Sequence, residues 1–378
     1  MGAQFGAATL PLGLPALGPF LRTEFGVSLA ALGALLAAPT LGIAATSFVW
    51  GALSDRLGER RVMVAGLLVA AAILVAAAWA RSAAVFGTSM ALSGAFGAAA
   101  PAASGKAVVG WFPATERGFA LSLRHTAPMA GGAFSAALLP VVAAAEGLRG
   151  ACLFLAALAV AGAVSAALVL PAPAGDADAG AAHAPPPTRD SLVWTMALGG
   201  SLVIVAQGVL TRFLSEYMHA ERGWSQAAAG ATLSITLLVA AVMRVGTGII
   251  SDRHGRRITT LRNQAAIAAV VLVVAAASSS APALVAAALL VFASGMTMAG
   301  NGVAWAAVSE ISPTRAGAAL GLYSTMLVAA STVAPPLFGA VVGDSSLGPA
   351  FGAVAAFPLL GAVAFWAAAR AWARRRAR

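Results

Sequence analysis

Three arginines stand inside long apolar runs of this chain: Arg124, Arg212 and Arg244. Arg124 sits in "LSLRHTAPMAGG", beside His125. A guanidinium stays charged and offers five donors in a planar fork that fits a carboxylate or another oxyanion. Arg124 follows Arg117 by seven residues, about 10 Å of helix rise, against about 15 Å for half a bilayer's hydrocarbon core. An arginine at the helix centre costs about 2.5–3.5 kcal/mol on insertion scales, and a water-filled cavity or a bound anion offsets that cost. Arg124 is therefore the leading candidate for a binding group; the alternative is a structural arginine bonded to helix carbonyls. His125 lies about 100° further round the helix, on a different face. Its ordinary pKa, about 6.5, suits a proton-linked step.

Gln207, Asn301 and Tyr323 are uncharged polar residues in apolar runs, which makes them candidate cavity-lining groups. Arg212 has Glu216 at i+4, the spacing of an ordinary ion pair near a helix end. Of 13 Asp and Glu, none falls in the middle of an apolar run. Buried arginine without a mid-helix carboxylate predicts an anionic ligand, such as a small carboxylate or an inorganic anion. Coupling would then run through His125 or through exchange with a counter-anion.

The elements that hold these residues follow from composition. The 378 residues are 60% hydrophobic and 10% charged, with mean hydropathy +0.89; soluble domains carry about 25% charged residues. The lone cysteine, Cys152, excludes a disulfide framework within the chain. The net charge is +10, but the basic residues fall between apolar runs, so nucleic acid is not an expected partner. "RAWARRRAR" at the end holds five arginines suited to an anionic membrane surface. No HExxH, CxxC, P-loop or G-x-S-x-G pattern occurs. No enzyme activity, cofactor or metal is expected.

Runs of about 20 apolar residues mark membrane-spanning helices. Twelve are predicted: 3–21, 29–50, 62–80, 85–110, 117–142, 149–170, 192–214, 226–248, 259–279, 283–307, 317–342 and 350–369. The N-terminal run has no basic lead-in, so it is read as a retained first helix rather than a signal peptide. It is short, which suggests a start placed too late. "APAGDADAGAAHAPPPTRD" is the longest polar, Pro- and Ala-rich stretch and reads as a linker. The expected fold is an all-α polytopic membrane protein of twelve helices in two pseudo-symmetric six-helix bundles. Its domains are 1–171, a cytoplasmic linker 172–190, and 191–378 with a basic cytoplasmic tail.

The two halves echo each other. "GALSDRLGERR" begins at Gly51 and "GIISDRHGRR" at Gly248, placing Asp55 and Asp252 197 residues apart. "PATERGFALSL" from Pro113 and "PTRAGAALGL" from Pro313 place Gly118 and Gly317 199 apart. Two echoes at nearly one offset indicate a duplicated six-helix unit, repeated in parallel. Tyr323 is the repeat counterpart of Arg124. Of 23 Lys and Arg, 16 fall on one side of the spans, four on the other and three within them. That bias places both termini in the cytoplasm. In the loop motif, Gly51 is expected to let helices approach closely. Gly58 suits a left-handed turn. Arg56, Arg60 and Arg61 hold the loop on the cytoplasmic side.

This layout, with G-x-L-x-D-R-x-G-x-R-R between the second and third helices, resembles the major facilitator superfamily. The first copy departs from the family pattern at Glu59, where a basic residue is usual; the second is nearly complete. "GWFPATERGFALSL" is similar to the helix four–five loop of bacterial organic- and inorganic-anion carriers in that superfamily. The resemblance implies a secondary active transporter working by alternating access. It also implies that Asp55 latches against the start of helix eleven in one access state, and Asp252 against helix five. Gly248, Arg253, Gly255, Arg256 and Arg257 complete the second loop, with Arg244 and Glu310 supporting that latch. The expected partners are a small anionic solute, a proton or counter-anion, and the lipid bilayer. The chain is expected to act as a monomer in a bacterial inner membrane. "APMAGG" resembles the Pro-Gly motif of proton-coupled drug antiporters, the alternative within the class. A non-transporting receptor is the alternative outside it, and would need an output domain or a long signalling tail.

Overall fold

A computed structural model describes residues 1–104, 117–170, 190–278, 281–312, 316–343 and 345–376. Inside its helices, the side chains of 48, 52, 55, 56, 117–125, 316–318 and 321 lie outside that description. The described residues are almost entirely helical, with no strand among them.

Ten described helices are long and apolar enough to cross a membrane. One of them, Arg117–Val169, is two helices merged across Gly147, whose φ of 66° breaks the helical path. A first helix, interrupted by a 3₁₀ turn at Leu14–Leu17, completes twelve. We number them α1 (Gly2–Gly13, Leu14–Leu17 and Gly18–Phe25), α2 (Leu29–Leu57), α3 (Glu59–Ala77) and α4 (Ala83–Ser104). Then come α5 (117–146), α6 (148–169), α7 (Ser191–Ala220), α8 (Gln226–His254) and α9 (Arg257–Ala277). The last are α10 (Ala283–Ile311), α11 (Ala316–Val342) and α12 (Leu347–Arg376).

Local chemistry sets the ends. Ser28 and Ser82 cap α2 and α4 by accepting from Ala31 N and Val85 N. The Asp190 carboxylate accepts from Leu192 N at the start of α7. Each cap satisfies a backbone donor that the helix itself leaves unpaired. Pro11, Pro15 and Pro19 account for the broken α1, since each removes a backbone donor. Several helices run past their expected ends: α2 reaches Leu57 rather than 50, and α12 stays helical to Arg376 rather than ending near 369. Arg375 is held there by Asp190 through two bonds of 2.9 and 3.0 Å.

The chain divides into two compact units, Met1–Ala181 with Trp224–Leu237, and Ala182–Gly223 with Leu238–Arg378. All of the expected linker except Asp190 lies outside the described residues. In the first unit small residues let backbones touch. A Cβ on Gly94 would stand 2.2 Å from the Pro39 carbonyl oxygen, and one on Gly131 2.4 Å from that of Phe5. Ser135 Oγ donates to the Thr9 carbonyl at 2.9 Å, and Ser234 Oγ to that of Ala133 at 2.8 Å. The second unit's core gathers Met196, Ile204, Leu261, Val308, Tyr323 and Phe365. Large apolar side chains point outward throughout, among them Val242, Val341 and Leu168. Lipid is the solvent for that surface, so exposing them carries no hydrophobic cost.

Candidate solute site

The polar groups inside the spans are few, and most find partners within their own unit. In the first unit Gln4 on α1 donates through Nε2 to Ser104 Oγ and, at 3.5 Å, to the Ala100 carbonyl of α4. In the second unit Asn301 Nδ2 on α10 donates to Gln207 Oε1 on α7 at 3.4 Å. Each half thus ties its first helix to its fourth with a side-chain amide. The sequence reading named Gln207 and Asn301 separately; the structure brings them together.

Tyr323 is buried in the second unit's core, 1% exposed. It meets Trp305 edge to face at 6.0 Å, and Gly200 leaves room for its hydroxyl. With Asn301, Gln264 and Thr297 it lines a small pocket. Gln264 was missed by sequence reasoning, because it lies only seven residues into α9 beside Arg262 and Asn263. Its Nε2 donates to the Met296 carbonyl at 2.7 Å, and its Oε1 is buried without a partner.

The side chains of Arg124 and His125 lie outside the described residues; their backbone belongs to α5. Arg212 and Glu216 are both buried, 7% and 2% exposed. Arg212 Nη1 donates to the Gly208 carbonyl one turn back, at 3.3 Å. Glu216 corrects the carboxylate inventory: it is near the end of α7, as read, yet it is an acid held away from solvent. Position along a helix says nothing of what packs around it.

Arg244 is partly buried on α8, and its Nη2 donates to the Met298 carbonyl of α10 at 3.2 Å. That carbonyl lies beside Gly300, where α10 is interrupted between Ala299 and Asn301.

The loop motifs sit at helix ends. Gly58 and Gly255 take φ of 83° and 61°, conformations that favour glycine. Among the described residues, a Cβ on Gly51 or Gly248 would meet nothing within 4 Å. Close backbone approach is described at Gly42 and Gly94, deeper in α2 and α4. Arg257 bridges Asp252 at 2.7 Å and Glu310 at 2.6 Å, joining α8, α9 and α10. Arg253, Arg256 and Arg61 are exposed, and Arg60 is half-buried. The side chains of Asp55, Arg56 and the first turn of α5 lie outside the described residues, so neither latch contact is described.

The amide pair and the buried tyrosine offer neutral hydrogen-bonding groups, and Arg244 offers a guanidinium bonded to the same helix as Asn301. Among the described residues no cluster of three metal-ligating side chains occurs. A family model described as Major Facilitator Superfamily matches residues 7–308 and 196–377. Two uncharacterized MFS-type transporters of Mycobacterium tuberculosis, from strains CDC 1551 and H37Rv, are 32% and 31% identical over 334 residues. Those alignments cover 87% of this chain and 75% of each relative. A probable sulfoacetate transporter, SauU, of Cupriavidus necator is 29% identical over 143 residues, 38% of this chain and 33% of the relative. Among solved structures, a bacterial homologue of the lysosomal transporter Spinster, inward-facing and occupied, superposes with a TM-score of 0.81 at 14% identity. That match covers 98% of this chain and 95% of the other. The nucleoside transporter NupG gives 0.76 at 16% identity, covering 97% and 99%. At such identities the likeness is one of fold.

Proposed function

Because the chain belongs to the major facilitator superfamily, a family of membrane transporters and not of enzymes, we propose that it moves a small anionic solute across the membrane by alternating access. The halves 1–171 and 191–378, joined by the linker 172–190, are the two moving bodies. Arg124 supplies the charge that selects the anion, while Gln207 and Asn301 supply uncharged hydrogen bonds. His125 and Tyr323 are further candidate residues. The protein resides as a monomer in a bacterial inner membrane with both termini in the cytoplasm. The Asp55 and Asp252 loops act as cytoplasmic latches.

The observation that carries this reading is the sign of the intramembrane charge. Arg124 and Arg244 lie within the spans, where a cation carries a cost that an anionic solute offsets. The aligned C. necator relative bears the name of a transporter for an anion, which agrees in sign. A thermal-shift screen of small anions against purified protein tests it. An anion that raises the melting temperature of the parent, but not of Arg124→Ala, is the expected result. Equal shifts in both would remove Arg124 from the site.

Buried Glu216 favours a second reading, proton-coupled efflux of drug-like molecules, since a carboxylate in a span is the usual proton carrier. In that case an imposed pH gradient would drive export, and Glu216→Gln would abolish the coupling.

A further inference from the structure

Arg244 lies ten residues before the end of α8 at His254, about 15 Å of helix rise along a helix about 43 Å long, so it stands within the span but nearer the His254 end than the middle. Asn301 lies ten residues before the end of α10 at Ile311, the same distance from its helix end. The Met298 carbonyl that Arg244 meets stands in the last turn of the half-helix Ala283–Ala299. The partial negative charge of a helix C-terminus faces the guanidinium there. This offsets part of the buried charge and fixes the side chain's direction. It does not satisfy it: Arg244 Nε is buried with no hydrogen-bond partner. A charged donor left unmatched away from water costs more than a neutral one. Bridging α8 to a broken helix needs only one donor, which a neutral amide could provide. A guanidinium anchored at one nitrogen and unmatched at another, within a span, has a donor that an oxyanion would satisfy.

We infer that Arg244 belongs to the solute site rather than to the cytoplasmic latch. Its Nε edge takes a carboxylate, sulfonate or phosphate oxygen of the transported anion. Asn301, three residues beyond Met298 on α10 and already bonded to Gln207, places amide groups within one helical turn for the solute's uncharged oxygens. The inference rests on the anionic-solute reading and assigns a cationic contact to the second unit.

The test is equilibrium binding, without transport, of acetate, sulfoacetate, sulfate and phosphate to purified full-length protein in detergent. The parent, Arg244→Gln and Arg244→Lys are compared. The expected result is that at least one of these anions binds the parent, that Arg244→Gln weakens it at least tenfold, and that Arg244→Lys weakens it less. Arg244→Lys also keeps the test decisive should the glutamine variant fail to fold. A lysine keeps the charge but loses the planar fork, so at least a threefold loss is expected. Parent-like binding in a folded Arg244→Gln, or in Arg244→Lys alone if the other is unfolded, would overturn the inference and leave the anionic reading standing. If none of the four anions binds the parent, the anionic reading fails and the inference fails with it.

Discussion

At the scale of single residues, the second unit's polar groups divide into those that recognise and those that brace. The Asn301–Gln207 bond is long, at 3.4 Å, and joins two neutral groups. Side-chain hydrogen bonds between membrane helices average about 0.6 kcal/mol in double-mutant cycles. A cycle of Asn301→Leu and Gln207→Leu should therefore give a coupling of about 0.6 kcal/mol in thermal unfolding. On the proposed role of both groups in binding the solute, transport should fall far more than that stability change implies. Both residues were legible in the sequence, since an amide in an apolar run has no cheap alternative to a partner. Gln4 and Gln264 were not, because each lies within a few turns of a helix end, where water could have served. Nor was the burial of Glu216: neighbouring helices, not sequence position, remove it from solvent.

At the scale of elements, glycine positions decide how closely helices pack. Gly94 abuts the Pro39 carbonyl of α2, a backbone atom that cannot swing aside. Gly94→Ala should destabilise by about 1–3 kcal/mol through overpacking, read as a lower melting temperature. Gly51→Ala, which meets no described residue within 4 Å, should leave that temperature nearly unchanged. The motif glycines announced themselves in the repeat; Gly42 and Gly94 did not, because nothing local separates a packing glycine from an indifferent one.

The α7–α12 clasp makes a different prediction. Arg375 beside Asp190 holds its carboxyl below the usual carboxylate range, with the Leu192 and Val193 backbone donors also lowering it and burial opposing them. A carboxyl depressed in the folded state contributes stability above its unfolded pKa, about 3.9. That contribution is lost as pH falls through the lower folded value. Asp190→Asn should cost under about 1 kcal/mol at neutral pH, since the Arg375 side chain is 48% exposed. Parent and variant melting curves should converge in acid. The Arg257 bridge is exposed too, with Asp252 at 66% and Glu310 at 49%. Arg257→Gln should likewise lose under about 1 kcal/mol; a larger effect on solute flux than on stability would mark a gating role.

At the scale of the whole molecule, twelve helices were legible because a bilayer admits few solutions. Every backbone group in a span must be satisfied internally, so apolar length alone identifies the helices. The duplicated loop then identified the six-plus-six plan. Boundaries slipped where tertiary partners intervene, as when Asp190 holds the last turns of α12. The central claim is that this transporter carries an anion selected by intramembrane arginine, and counterflow tests it most directly. Liposomes containing the protein are loaded with one unlabelled small anion and diluted into a trace of the same anion, labelled. The account predicts transient, saturable accumulation of label in parent vesicles and its loss with Arg124→Ala. Accumulation of cationic or neutral solutes alone, or undiminished anion counterflow in Arg124→Ala, would contradict it.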